Sequence, residues 1–261
     1  MIKGRNDWPL RRRLFVSEFL GTAVLLLVGL SVVILMFGTG SPFARLLPNE
    51  ALRRTITGFL FGTTGALIAL SWVGKASGAH LNPVVTLGFW LMRKVDSRTA
   101  AGYALAQVTG ASAGVLPLLA WGAMGRSVAF GATTPGEHYS LAMVFAGEAI
   151  TTFAMIAGLC LFLASRNLRR FTPAMFPLLY GVMVPLEAAI SGTSTNPART
   201  LGPAIISGQW HGWWIYWAAP LIGTLVAILV CSLLARRIEV AKLYHFDNDR
   251  DRLFRRMAAT G

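Results

Sequence analysis

The chain has 261 residues, of which 54% are hydrophobic and only 13% are charged. Soluble domains carry about 25% charged residues, so this composition favours a protein surrounded by lipid and argues against a soluble enzyme. The net charge of +13 is compatible with nucleic-acid binding, but the positions of the basic residues give another explanation below. Cys160 and Cys231 lie inside apolar segments, which predicts buried free thiols rather than a disulfide framework or a metal site.

Six apolar segments are long enough to cross a bilayer, which requires about 20 mostly apolar residues. They cover residues 14–37, 52–72, 99–121, 143–164, 174–191 and 213–235. Each of them contains glycine, and small residues allow membrane helices to approach closely. The sequence therefore predicts a tightly packed bundle of six transmembrane helices.

Two shorter apolar segments, residues 83–92 and 197–207, follow an asparagine and begin with proline. Asparagine at the N-cap and proline at the first helical position are typical of helix starts. Because neither segment is long enough to span, we predict two half-helices that enter the membrane and stop midway. Irregular backbone at that depth is tolerated only where it is buried in protein or lines a wet cavity.

Lysine and arginine are unevenly distributed among the connections. If both termini are cytoplasmic, nineteen of the 24 lie in the N-terminal segment, in two cytoplasmic connections and beyond residue 235. This bias predicts cytoplasmic termini and contact of the basic side chains with anionic lipid head groups. Nucleic acid is not needed to explain the charge, and we expect no nucleic-acid partner.

The chain also repeats itself. Glu18 in the first span corresponds to Glu148 in the fourth, and residues 77–84 correspond to residues 191–198, which lie 114 residues further on. Each repeat contains three spans, an odd number, so the second repeat must be inverted in the membrane. Inverted repeats whose discontinuous helices meet at the midplane form substrate pathways, and we expect the two half-helices to meet tip to tip.

The sequence Ser-Gly-Ala-His-Leu-Asn-Pro-Val (77–84) and the sequence Asn-Pro-Ala-Arg (196–199) occur among six spans with duplicated glutamates. In this combination the chain resembles the aquaporin (major intrinsic protein) family over residues 12–237. The resemblance implies an all-α membrane protein with six transmembrane helices and two re-entrant half-helices in an inverted repeat. It also implies a homotetramer. The expected division is a cytoplasmic segment 1–13, a channel domain 14–237 (repeats 14–121 and 143–235) and a cytoplasmic tail 238–261.

The two Asn-Pro motifs are the first group of candidate pore residues. They comprise Asn82, Pro83, Val84, Asn196, Pro197 and Ala198. A capping asparagine uses its side-chain oxygen on its own helix, which leaves its NH2 group free to face the pore. Two such donors would bind the oxygen of a passing water, which then cannot relay a proton. The positive ends of both half-helices would also repel protons and cations.

The family places its narrowest ring at four positions, which we locate by counting from the two asparagines. Here they are Gly62, Val184, Thr193 and Arg199. An arginine at membrane depth normally faces a wet cavity, where Arg199 would bind solutes and exclude cations. Strict water channels of the family have Phe and His at the first two positions, so Gly62 and Val184 predict a wider ring. Phe61 is adjacent, and a shift of one residue would restore an aromatic side chain.

Three acids and one histidine complete the candidates. In the family, glutamates such as Glu18 and Glu148 brace the re-entrant loops, whereas a proton relay through them would indicate a transporter. Glu187 has no counterpart in the first repeat, and both a pore-lining and a loop-bracing role stay open. His80 is a candidate for the cytoplasmic pore mouth, with a loop hydrogen bond as the alternative.

The expected function is a passive channel for water, and also for small neutral solutes, that excludes protons and ions. The alternative is a wider facilitator for glycerol, urea or neutral metalloid hydroxides, and a distant alternative is a proton-coupled secondary transporter. The chain has no His-Glu-x-x-His, nucleophile elbow or dinucleotide loop, so we expect no enzyme, no cofactor and no metal. We expect a multi-pass protein of the plasma (inner) membrane whose partners are water, small uncharged solutes and membrane lipids.

Overall fold

The computed structural model describes residues 8–165 and 167–233, and within them every regular element is a helix. The eight principal helices are α1 (Trp8–Phe37), α2 (Glu50–Leu70), α3 (Pro83–Leu91), α4 (Ser97–Val115), α5 (Leu141–Ala164), α6 (Thr172–Glu187), α7 (Pro197–Ser207) and α8 (Ile215–Leu233). Six of them coincide with the predicted spans, and the short α3 and α7 coincide with the predicted half-helices. Part of the predicted segment 1–13 and all of the predicted tail 238–261 lie outside the described residues.

Within the described residues, four stretches of helix are long and apolar enough to cross a membrane on their own. They are Leu10–Phe37, Ser97–Arg126, Leu141–Ala164 and Ile215–Leu233. Helix α2 differs because Glu50, Arg53 and Arg54 occupy its first two turns, and α6 has only 16 residues with two internal prolines. These two helices pack against each other.

The helix ends differ from the predicted spans by a few residues. Helix α1 begins at Trp8, so residues 8–13, which we expected to precede the span, are already helical. Helix α4 ends at Val115 and continues as a 3-10 helix, Leu116–Trp121, because Pro117 has no backbone N–H to extend the α-helical ladder. Helix α6 ends at Glu187, where the chain turns into the second loop.

Both half-helices start at an asparagine cap. The Oδ1 atom of Asn82 accepts a hydrogen bond from the N–H of Val84 at 3.0 Å. The Oδ1 atom of Asn196 accepts from the N–H groups of Ala198 at 3.0 Å and Arg199 at 3.3 Å. Each cap satisfies N–H groups that have no partner within the helix, so the helices can begin in the protein interior.

The two half-helices meet at their N-terminal ends. Asn82 Nδ2 donates to the carbonyl oxygen of Thr195 at 2.9 Å, and Asn196 Nδ2 donates to the carbonyl oxygen of Leu81 at 3.0 Å. Each capping side chain is therefore bonded to the loop that precedes the other half-helix. The predicted tip-to-tip arrangement follows from this pair of reciprocal bonds.

Helix packing repeats in the two halves of the chain, and glycines make the closest contacts. Helix α1 packs on α4, and α5 packs on α8 in the same way. A Cβ atom added to Gly110 of α4 would lie 2.4 Å from the Phe19 carbonyl oxygen of α1. A Cβ atom added to Gly223 of α8 would lie 2.4 Å from the Ala149 carbonyl oxygen of α5. At these points only glycine allows the two backbones to approach so closely.

Gly114 of α4 provides a test of this packing, because a Cβ atom there would lie 2.2 Å from the Ala23 carbonyl oxygen. We expect Gly114→Ala to force the helices apart and lower the free energy of unfolding by about 1–3 kcal/mol, the usual range for overpacking. Thermal unfolding of the purified protein in detergent measures the change. Gly181→Ala is the matched control, since its Cβ would meet Phe59 at an ordinary 3.7 Å. Equal effects of both substitutions would contradict the role of Gly114.

Candidate functional site

Two irregular loops, residues 77–82 and 191–196, lead into the half-helices with the same unusual backbone. Gly78 and Gly192 have φ values of +93° and +88°. After these glycines in the sequence, four non-glycine residues also lie in the left-handed region, with φ between +50° and +53°: Ala79, Leu81, Thr193 and Thr195. Such residues cost about 1–3 kcal/mol each and persist only where their surroundings hold them in place.

Glu18 supports the first loop from α1. Its side chain is fully buried, and its carboxylate accepts hydrogen bonds from the N–H of His80 at 3.0 Å and the N–H of Leu81 at 2.7 Å. Gln107 Nε2 on α4 donates a further hydrogen bond at 2.8 Å. One carboxylate thereby satisfies two consecutive backbone donors of an irregular loop.

Glu148 does the same for the second loop from α5. Its carboxylate accepts from the N–H of Ser194 at 2.7 Å and from the N–H of Thr195 at 2.8 Å. The Ser191 hydroxyl donates to it at 2.5 Å. Glu148 is fully buried, and neither it nor Glu18 lines the cavities described below.

The start of each loop is held by one tyrosine, a contact that the sequence analysis did not predict. Tyr103 donates its hydroxyl to the Ser77 carbonyl oxygen at 2.7 Å, and Tyr216 donates to the Ser191 carbonyl oxygen at 2.8 Å. The repeat contained a usable signal, because Tyr216 follows Tyr103 by 113 residues, nearly the offset between the loops. The two contacts are equivalent in the two repeats.

Two cavities lie in series along the loops. The first, which we call the arginine chamber, has a volume of about 230 Å³ and is lined by Arg199, Thr193 and Val184, with Glu50 and Arg54 also in its wall. The second, the asparagine chamber, has a volume of about 60 Å³. Its wall includes Asn82, Asn196, His80, Gly62 and Leu81.

The capping asparagines present donors to the asparagine chamber. Each Oδ1 atom is used by its own helix, and each Nδ2 atom donates to the opposite loop. Because a side-chain amide carries two N–H donors, one N–H of Asn82 and one of Asn196 stay available in this chamber.

Arg199 lies on the first turn of α7 and is only 7% exposed. Its Nη1 atom donates to the Gly131 carbonyl oxygen at 2.8 Å, and its Cζ atom lies 6.0 Å from the centre of the Phe61 ring. The guanidinium group is therefore fixed at the wall of the arginine chamber, with donors remaining for a solute.

Three of the four predicted ring residues, Val184, Thr193 and Arg199, share the arginine chamber, together with Phe61. Gly62 is not in its wall. Gly62 borders the asparagine chamber and packs against α6, where an added Cβ atom would lie 2.6 Å from the Phe176 carbonyl oxygen. Of the two alternatives on α2, Phe61 is the residue that lies beside Arg199.

His80 borders the asparagine chamber, and its side chain is only 3% exposed. Its Nδ1 atom lies 3.1 Å from Thr86 Oγ1, and its ring stacks on Phe89 with 4.6 Å between the centres. Its ring therefore contacts residues of α3, and His80 also borders a cavity.

Glu187, the acid without a counterpart, is buried at the end of α6. Neither of its carboxylate oxygens makes a hydrogen bond of ordinary geometry within the described residues, and Glu187 borders neither chamber. Its carboxylate packs against Gly147 of α5, where an added Cβ atom would lie 2.5 Å from Oε1. Glu187 therefore occupies space that glycine at position 147 leaves open.

No cluster of three or more His, Cys, Asp or Glu side chains that could hold a metal ion occurs in residues 8–165 and 167–233. Cys160 is buried and Cys231 is partly buried, and both are free thiols.

The two acids of the second repeat allow a matched test of loop bracing. We expect Glu148→Gln to lower the free energy of unfolding by about 1.5–3 kcal/mol, the usual worth of a hydrogen bond to a charged group, and to reduce transport. The carboxylate of Glu187 makes no hydrogen bond of ordinary geometry within the described residues, so Glu187→Gln should cost less. Thermal unfolding in detergent, followed by flux measurements in liposomes, makes the comparison. A larger loss in the Glu187 variant would contradict this assignment.

Comparison with known proteins agrees with the geometry. The family model "Major intrinsic protein" matches residues 7–231. The chain is 31% identical to aquaporin Z of Rhodopseudomonas palustris over 237 residues, which is 85% of this chain and 92% of that protein. It is 30% identical to aquaporin PIP1-6 of Zea mays over 242 residues, which is 88% of this chain and 79% of that protein.

Among solved structures, the aquaglyceroporin from Plasmodium falciparum has the same fold, with a TM-score of 0.69 at 24% identity. The match covers 86% of this chain and 99% of that one. The family match over nearly the whole chain, the curated relatives and the shared fold lead to one conclusion. This chain belongs to the major intrinsic protein family.

Proposed function

We propose that this passive channel conducts water and small neutral solutes and excludes protons and ions. Members of the major intrinsic protein family are membrane channels rather than enzymes, so the open question is what passes. The observation that carries the proposal is the asparagine chamber, in which two capping amides each keep one N–H available.

Proton exclusion follows from the arrangement of these donors. A water molecule that accepts hydrogen bonds from both Asn82 and Asn196 has its lone pairs engaged, so it cannot accept a proton from a neighbouring water. The N-terminal ends of α3 and α7 face the same point, and each carries about half a positive charge. Protons and cations meet an electrostatic barrier there that neutral water does not experience.

The arginine chamber supports passage of more than water. Arg199 and Thr193 give it polar groups, whereas Val184 and Phe61 give it an apolar surface. A solute with hydroxyl groups on one side and carbon on the other fits this division. We therefore propose that glycerol-sized neutral solutes pass, while facilitation of urea or neutral metalloid hydroxides is the alternative within the family.

Proton-coupled transport is the distant alternative, and the positions of the acids argue against it. Glu18 and Glu148 are fully buried, bind loop N–H groups and border neither chamber. A carrier acid must reach the pathway to exchange its proton. We therefore propose that both glutamates brace the loops and that transport needs no pH gradient.

The membrane setting is also part of the proposal. Large apolar side chains such as Leu67, Leu178 and Leu186 are 63%, 64% and 74% exposed in the single chain. They suit contact with lipid or with neighbouring subunits, and we propose a homotetramer in the plasma membrane. The positive-inside bias supports cytoplasmic termini.

Stopped-flow light scattering on proteoliposomes tests the proposal with a water gradient and then with a glycerol gradient. We expect both fluxes to exceed those of empty liposomes and to be independent of an imposed pH gradient. Val184→His should reduce glycerol flux and retain water flux, because it adds bulk beside Arg199. Fast water flux with no glycerol or urea flux in the wild type would show that the pathway is narrower than proposed.

Arg199 provides a separate test of ion exclusion. Arg199→Val removes a fixed positive charge from the wall of the arginine chamber, and we expect it to admit protons or small cations. Arg199→Lys, which keeps a charge, should leak less. Proton flux is measured with a pH-sensitive dye inside the liposomes, beside water flux. A variant that blocks water and leaks no more than the wild type would contradict the assigned role.

A further inference from the structure

We infer that Tyr180 and Phe61 form an aromatic neck between the two chambers, and that Tyr180 sets the size of the largest solute that passes. The inference rests on the proposed channel function and adds a residue that the four-position ring does not contain. Tyr180 lies on α6 and Phe61 lies on α2, the two helices that pack together across the repeats.

The position of the neck follows from which side chains border both cavities. Only Phe61, Tyr180 and Ser194 are in the walls of both the arginine chamber and the asparagine chamber, among the described residues. A solute that moves from one chamber to the other must therefore pass these three residues. The Phe61 and Tyr180 rings stack with 6.3 Å between their centres and 24° between their planes.

Both aromatic rings are held in place. The Tyr180 hydroxyl lies 2.6 Å from Thr195 Oγ1, within the second loop. The backbone of Thr195 is itself bonded on both sides, since its N–H donates to Glu148 and its carbonyl oxygen accepts from Asn82. On the other side, Phe61 fills the space over Gly29 of α1, where an added Cβ atom would lie 2.5 Å from the ring. Neither ring can turn aside easily to enlarge the passage.

The neck also changes the role that we assign to Val184 in solute selection. Tyr180 and Val184 are four residues apart on α6, so they lie on the same face, one turn from each other. The bulk that is missing at Val184 is thus supplied one turn away, at the level where the chambers join. On this account Val184 determines which groups a solute presents to Arg199, while Tyr180 determines how wide the solute can be.

The chemistry of the neck defines the class of solute. The two aromatic rings form its apolar side, and the loop at Ser194 forms its polar side. Water and small neutral solutes with hydroxyl groups along one edge suit this combination. Longer polyols with hydroxyl groups on all sides would have to give up hydrogen bonds against the aromatic rings, which is costly without replacement partners.

The inference is tested by measuring the permeability of liposomes that contain the full-length protein. The solutes form a series of increasing size: water, urea, glycerol, erythritol and ribitol. We expect Tyr180→Ala to raise the flux of the first solute that the wild type excludes by roughly tenfold, equivalent to about 1.4 kcal/mol off the barrier. Tyr180→Phe keeps the ring and loses the hydroxyl, so its increase should be smaller. Leu178→Ala is the control on the same helix, because that side chain is 64% exposed, away from the chambers.

Water flux in each variant reports whether the channel has folded, and Phe61→Ala replaces Tyr180→Ala if the latter does not fold. An unchanged size limit in Tyr180→Ala, or in Phe61→Ala where that variant replaces it, would overturn the inference and leave the proposed function standing. A wild-type protein that conducts no water would instead overturn the proposed function itself.

Discussion

Backbone N–H groups inside a membrane need partners, because lipid offers none and each unsatisfied group costs several kcal/mol. The two loops of this protein have no regular secondary structure, and alternate residues in them take left-handed conformations. Glu18 and Glu148 resolve the problem by accepting two consecutive loop N–H groups each. The remaining geometry of the pathway depends on these two carboxylates, since they hold both loops against their backbone strain.

Several functional positions follow from this constraint. With the loops fixed, each capping asparagine lies opposite the other loop and bonds to its carbonyl oxygen, at Thr195 and Leu81. One amide N–H of each asparagine thereby donates to the opposite loop, and the other N–H is left to donate to a molecule in the pathway. The Tyr180 hydroxyl also makes a hydrogen bond with Thr195 Oγ1. The neck and the asparagine pair are therefore anchored to the same loop residue. Selectivity by solute size and exclusion of protons therefore both depend on the same braced loops.

Much of this arrangement could be predicted from local sequence rules. Asn-Pro at positions 82–83 and 196–197 specifies a capped helix start, and the spacing of apolar segments specifies the six long helices. Counting residues could not decide between Gly62 and Phe61 on α2, because it does not show which side of a helix faces a cavity. Gly62 packs against α6 while Phe61 lies beside Arg199, a difference set by the close approach of two helices. Tyr180 was missed because an aromatic residue in an apolar helix carries no signal of its own.

The most direct test of the account is an experimental structure in lipid, at a resolution that places ordered water in the pathway. The account predicts a water oxygen within hydrogen-bonding distance of the Nδ2 atoms of both Asn82 and Asn196, with Glu18 and Glu148 bonded to the loops. It would be contradicted if either amide were turned away from the asparagine chamber, or if no water lay between the two half-helix ends.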